Sequence, residues 1–140
     1  MDRIDEKNNI VRIIDYKTGG FEFKKYNPDN PSGYFEELIT NPDYKENFQA
    51  FFYGYFYSKT NADRKINVGI YPVKKILKGV KELKEDFIDP QEFDMFGESL
   101  KKLISEITDI NVPFTKTEDE KRCTYCPYSE ICYRDLKNII

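Results

Sequence analysis

Histidine is absent from all 140 residues, and so is tryptophan. Without an imidazole there is no Ser-His-Asp or Cys-His nucleophilic triad, no His-ligated zinc enzyme and no histidine general base. Proton transfer would fall to lysine, carboxylate, tyrosine or a metal-bound water. Long apolar runs are also missing. None approaches the ~20 residues of a membrane span, and no charged-then-apolar leader opens the chain. No membrane partner is expected, and a cytoplasmic location is. In that compartment the three cysteines read as ligands or free thiols rather than as a disulfide framework. An excess of positive charge is lacking too. The 22 basic and 25 acidic residues leave a net charge of −3, which argues against an indiscriminate nucleic-acid binder. It leaves room for an enzyme with an acidic, metal-receiving site and a locally basic surface.

What is present in quantity is aromatic: eleven Phe and eleven Tyr, 16% of the chain, enough to build a core whose tyrosines keep a polar tip. The length suits one domain with a moderate core. The most informative stretch runs from Ile10 to Gly19. Its β-branched residues predict a buried strand that ends in Asp15-Tyr16-Lys17-Thr18-Gly19. Strand alternation puts Asp15 and Lys17 on one face and Ile14 and Tyr16 on the other. A carboxylate and an ammonium so placed either hold a divalent cation with its water or form a plain salt bridge on an edge strand.

Around that stretch, residues 2–5 and 10–17 predict an antiparallel hairpin across the polar turn Glu6-Lys7-Asn8-Asn9, with Asp2 and Asp15 at the same end. Asp5 is a further candidate, as a cap for that turn. Phe21-Glu22-Phe23 reads as a short strand, and Tyr26 to Pro31 as a loop rich in Asn and Pro. Tyr34 to Thr40 reads as a helical turn or an anchored loop. Asn41-Pro42 opens a helix to about Lys59, with Asn as N-cap and Pro at the first position. Its stripe of Phe48, Phe52, Tyr55, Phe56 and Lys59 is expected to pack on the sheet. Gln49 and Tyr53 sit one turn apart on a neighbouring face. Ile66 to Tyr71 alternates as another strand, Val73 to Val80 is ambiguous, and Asp89-Pro90 opens an amphipathic helix through Asp109.

Taken together, Asp2-Arg3-Ile4-Asp5, Ile13-Ile14-Asp15-Tyr16-Lys17-Thr18-Gly19 and Gln49-Ala50-Phe51-Phe52-Tyr53 resemble successive motifs of RecB-type nuclease domains of the PD-(D/E)XK superfamily. The resemblance implies an α/β (α+β) restriction-endonuclease-like core, a small mixed β-sheet flanked by helices. It implies Mg²⁺ (or Mn²⁺) held by Asp2, Asp15 and the backbone carbonyl of Tyr16. It makes Lys17 catalytic, with Gln49 and Tyr53 beside it, and DNA the substrate. A helicase subunit or domain of the same complex is the implied partner. Residues that precede the first aspartate in the family have no counterpart here, so the chain is expected to be a C-terminal piece. Residues 1–120 would then form a partial nuclease core lacking its N-terminal motif.

The tail adds Cys123-x-x-Cys126 and Cys132 within ten residues. Three thiolates close neither a tetrahedral zinc site nor an iron–sulfur cluster. AddB-like nucleases carry a similar trio, joined by one distant cysteine to hold a [4Fe-4S] cluster. The resemblance therefore implies that 121–140 is part of an iron–sulfur staple in the intact protein, with free thiols the plainer reading. The expected function is a metal-dependent DNA exonuclease domain of a RecB/AddB-like recombination-repair protein. The alternatives are a catalytically incomplete DNA-binding or assembly module and a zinc-ribbon interaction domain.

Overall fold

The computed structural model describes residues 1–134. They fall into two compact units, one of Met1–Glu106 and a second that begins at Ile107. No helix among the described residues is long and apolar enough to cross a membrane. The first unit is a four-stranded mixed sheet with helices, the α+β arrangement the sequence leads one to expect.

Strands β1 (Arg3–Lys7) and β2 (Ile10–Lys17) form the expected hairpin, with Arg3 opposite Ile14 and Lys7 opposite Ile10. The two-residue turn is Asn8-Asn9, both at positive φ (52° and 62°). Asparagine tolerates this left-handed conformation, and it matches the twist of the flanking strands. Strand β3 (Ile66–Pro72) joins the other edge of β2 in parallel, Ile13 beside Val68 and Asp15 beside Ile70. The two-residue strand β4 (Lys81–Glu82) closes the sheet antiparallel to β3.

Between β2 and β3 the chain must cross over, because parallel neighbours cannot be joined by a hairpin. It does so through helices α1 (Pro31–Thr40) and α2 (Lys45–Thr60). Helix α1 is a full ten residues, longer than the sequence predicts. Asn30 caps it by accepting from the Gly33 N–H at 3.1 Å, and Pro31 stands in its first turn. The same Asn-Pro pair at 41–42 starts a single 3-10 turn, Pro42–Tyr44, that leads into α2. Phe21-Glu22-Phe23 is not a strand. The stretch is irregular, with Phe23 buried in the core and Phe21 packed against it. After β3 the ambiguous segment is 3-10 from Val73 to Lys78 and turns at Gly79, whose φ of +67° favours glycine. Helix α3 (Pro90–Thr108) opens with a reciprocal cap: Asp89 Oδ1 accepts from Gln91 N at 2.9 Å, and Asp89 N donates to Glu92 Oε2 at 2.8 Å.

The packing of α2 differs from the expectation. Its buried face is Asn47, Ala50, Phe51 and Gly54. A Cβ on Gly54 would lie 2.7 Å from Val68 Cγ1 of β3, so the helix rests on the sheet through its smallest residues. The aromatic stripe instead turns towards α3: Phe48 and Tyr55 both meet Phe96, at 5.7 and 5.8 Å, and Phe56 is exposed. Large rings fill the space between helices, where the gap is wide, and small residues serve where backbones approach. Phe35, Phe51 and Phe96, one from each helix and all wholly buried, form the centre of the core, with Phe35 edge-on to Phe51 at 5.2 Å. Each such ring contributes about 1.5–3 kcal/mol by burial.

The close approach at Gly54 makes a prediction against helix propensity. Gly54→Ala should destabilise the domain by about 1–3 kcal/mol, measured by urea unfolding, because overpacking exceeds the intrinsic gain of alanine.

Candidate active site

On β2 the side chains alternate as the sequence predicts. Val11, Ile13, Asp15 and Lys17 share the face that carries the helices, beside Ile66, Val68 and Ile70 of β3. The strand thus delivers an acid and a base to the rim of an apolar core. Asp15 is nearly closed off, its side chain 8% exposed, while that of Lys17 is 25% exposed. Lys17 Nζ lies 2.8 Å from Asp15 Oδ2, and the terminal ammonium of Met1 lies 4.0 Å from Oδ1. Both carboxylate oxygens face positive charge.

Asp2 stands one step beyond the first β1–β2 pair, so it comes level with Asp15. Its N–H donates to Ile14 O at 3.2 Å, and its Oδ2 accepts from the Tyr16 N–H at 2.7 Å. The two aspartates lie at the same end of neighbouring strands, as the hairpin reading expects. Helix α2 supplies the rest. Gln49 Oε1 accepts from Lys17 Nζ at 2.6 Å, and Gln49 Nε2 donates to Tyr53 OH at 3.0 Å. One continuous chain, Asp15–Lys17–Gln49–Tyr53, therefore links strand to helix. Lys17 is clamped between a carboxylate and an amide oxygen, which restricts a side chain that is otherwise among the most flexible.

The hairpin that sets this geometry is held from the opposite face. Arg12 donates to both oxygens of Asp5, at 2.7 and 2.8 Å, and to Glu82 Oε1 at 3.0 Å. Asp5 is thus a cross-strand anchor and not a turn cap. Its hydrogen bonds from Arg12 hold its carboxyl below the usual carboxylate range, against the opposing effect of burial. Two buried asparagines escaped the sequence reading. Asn67 Nδ2 donates to the carbonyls of Lys84 and Asp86, at 2.8 and 2.6 Å, tying β3 to the loop after β4. Asn47 ties α2 to the irregular segment after β2 through both Lys24 backbone groups, and to Tyr34 OH. The signal for Asn67 was there: an amide inside an otherwise apolar strand is disfavoured unless it is fully paired.

The donors around Asp2 and Asp15 are oxygens, which suit a hard cation. Mg²⁺ takes one or two carboxylates and fills its remaining positions with water and substrate oxygens. The carboxylates of Asp2 and Asp15, level with each other on neighbouring strands, fit that requirement. The cysteines belong to the second unit and are half-buried free thiols. Cys126 N donates to Cys123 O at 3.1 Å, and Arg134 Nη1 lies 3.5 Å from Cys123 Sγ. No three side chains of His, Cys, Asp or Glu converge as a metal-binding group among the described residues. A [4Fe-4S] cluster takes four thiolates, so the donor set present does not fit one. Residues 135–140 of the expected cysteine segment lie outside the described residues.

The family model of the PD-(D/E)XK nuclease superfamily matches residues 1–133. The chain belongs to that superfamily. No curated protein and no solved structure matches it. Membership agrees with the mixed sheet, and it makes nuclease chemistry the activity that the superfamily as a whole suggests.

The Asp5–Arg12 pair sets a pH dependence. An Asp whose carboxyl is held below the ordinary value of about 3.9 stabilises the fold above that pH, and the gain is lost as pH falls through the lower folded value. Asp5→Asn should therefore cost about 1–3 kcal/mol at neutral pH. Urea unfolding across pH should show the difference from the parent closing below pH ~4, where Asp5 loses its charge.

Proposed function

We propose that this chain is the nuclease part of a RecB/AddB-like recombination-repair protein, a metal-dependent DNA exonuclease that hydrolyses phosphodiester bonds and works beside a helicase subunit or domain. The observation that carries the reading is the clamped lysine, with Lys17 Nζ 2.8 Å from Asp15 and 2.6 Å from Gln49 Oε1, one strand over from Asp2. A surface salt bridge has no need of a glutamine from another element to aim it.

In this reading Asp2, Asp15 and the Tyr16 carbonyl would hold Mg²⁺ or Mn²⁺. When bound, the ion supplies Lewis acidity towards a phosphate oxygen and lowers the pKa of its water. Lys17 positions the attacking water and offsets the negative charge that builds on the phosphorane-like transition state. Gln49 accepts one Lys17 proton and so fixes where Nζ points. Tyr53 holds the Gln49 amide in the orientation that leaves its oxygen towards Lys17. Burial of Asp15 strengthens every one of these interactions relative to water. An iron–sulfur staple is no part of this mechanism, because the chain brings three thiolates and not four.

The decisive experiment incubates the protein with linear DNA and Mg²⁺ or Mn²⁺. Cleavage is expected, and Lys17→Ala should lower its rate by about 10²–10⁴-fold without unfolding the protein, as judged by circular dichroism. Asp15→Asn should abolish the rise in melting temperature that Mn²⁺ gives the parent, a readout independent of turnover. DNA binding with no cleavage under any of these conditions would favour the non-catalytic binding module.

A further inference from the structure

In the second unit the cysteines, and not the large apolar side chains, are turned inward. Three turns of one kind follow each other there. Cys126 N donates to Cys123 O at 3.1 Å, Ser129 N to Cys126 O at 3.2 Å and Cys132 N to Ser129 O at 3.1 Å. Every turn begins and ends on Cys123, Cys126, Ser129 or Cys132. Between Cys123 and Cys132 these four residues are half-buried and all the others are exposed. Tyr125 is 96% and Ile131 76% exposed. Cysteine is often buried as a small apolar residue, but burial of apolar surface would draw the tyrosine and isoleucine inward first.

The first turn brings two thiols together. Its i→i+3 hydrogen bond keeps the end Cα atoms within about 7 Å, and Thr124 inside it is right-handed helical (φ −54°, ψ −36°). In so tight a winding, side chains three residues apart stand over one another. A disulfide spans Cα atoms about 4.4–6.8 Å apart, so the turn suits one without rebuilding. Both sulfurs are free thiols, yet their surroundings differ. Arg134 Nη1 lies 3.5 Å from Cys123 Sγ. Arg134 N donates to Ser129 O at 2.8 Å, which fixes the arginine to the same run of turns. The third thiol is set apart: Cys132 comes two turns after Cys126, and its carbonyl accepts from Lys116 Nζ at 3.1 Å.

We propose that Cys123 and Cys126 are a redox-active dithiol that reacts with a low-molecular-weight disulfide. Cys123, beside the guanidinium, attacks first, because the nucleophile in this exchange is a thiolate and a neighbouring cation favours it. Its sulfur bonds to one sulfur of the small disulfide, whose S–S bond breaks. The other half leaves as a thiolate and takes up the proton that Cys123 gave up. Cys126 then attacks the Cys123 sulfur of the mixed disulfide and releases the second half, which takes up the Cys126 proton. The protein gives two electrons and two protons, and the small disulfide leaves as two thiols. Cys132 takes no part. Neither step draws on the nuclease reading.

Incubation of the full chain with oxidised glutathione, followed by alkylation and tandem mass spectrometry, tests it. The parent should end with a disulfide between Cys123 and Cys126, an alkylated Cys132 and no retained glutathione. Cys126→Ser should trap the intermediate as a glutathione adduct on Cys123 in preference to Cys132. Adding Arg134→Gln should slow formation of that adduct by about tenfold, and Arg134→Lys, which keeps the charge, should restore most of the rate. Glutathione spread evenly over the three cysteines would overturn the proposal. So would a bridge to Cys132 or between two chains, or an adduct that forms as fast with Arg134→Gln. Mapping the bridge needs the parent alone, so a variant that fails to fold does not rescue the idea.

Discussion

The parallel pairing of β2 with β3 is the constraint from which the rest of the first unit follows. A parallel neighbour cannot be reached by a tight turn, so the chain between Lys17 and Ile66 must travel back across one face of the sheet. Two helices occupy that crossover, and α2 comes to lie over β2 and β3. Its height is set where Gly54 meets Val68, and its rotation by Phe51 and Ala50, which point into the core. Once those contacts are made, Gln49 has little freedom, and its amide oxygen reaches Lys17 Nζ at 2.6 Å. The site is a by-product of packing as much as of its own polar contacts.

Electrostatics completes what packing begins. A protein without histidine has to manage acid–base chemistry with groups whose ordinary pKa values lie far from neutrality. Asp15 is nearly out of water, with Lys17 Nζ 2.8 Å from its carboxyl oxygen. Holding Lys17 between that carboxylate and a neutral amide aims its charge without quenching it by a second acid. On the other face, Arg12 bridges Asp5 and Glu82 and keeps three strands in register. One face of the hairpin serves reactivity and the other stability, a division that strand alternation makes possible.

Much of this architecture was legible in the chain. The hairpin follows from β-branched strands around Asn8-Asn9, and the pairing of Asp2 with Asp15 follows from the hairpin. Asn41-Pro42 marks the 3-10 turn that leads into α2 rather than the helix start itself. The same signature at Asn30-Pro31 does begin a helix, yet the surrounding Asn and Pro disguised it as loop. Phe21 and Phe23 look like strand residues, but without a neighbouring edge to pair with they serve as irregular anchors of the core. The stripe of Phe48, Phe52 and Tyr55 has the right period and the wrong neighbour. Periodicity says that a face is buried and does not say against what.

By itself the sequence determined which residues share a strand, which share a helix face, and which chemistry is open to a protein with no imidazole. These are local matters, fixed by side-chain period, turn conformation and composition. The family resemblance implied that Gln49, thirty-two residues away, belongs beside Lys17, but only the tertiary structure shows the 2.6 Å contact and that the glycines after β2 and the lysines after β3 line one cleft. Such distances depend on how closely helix and sheet approach, and that is set by packing small residues against large ones across the whole unit.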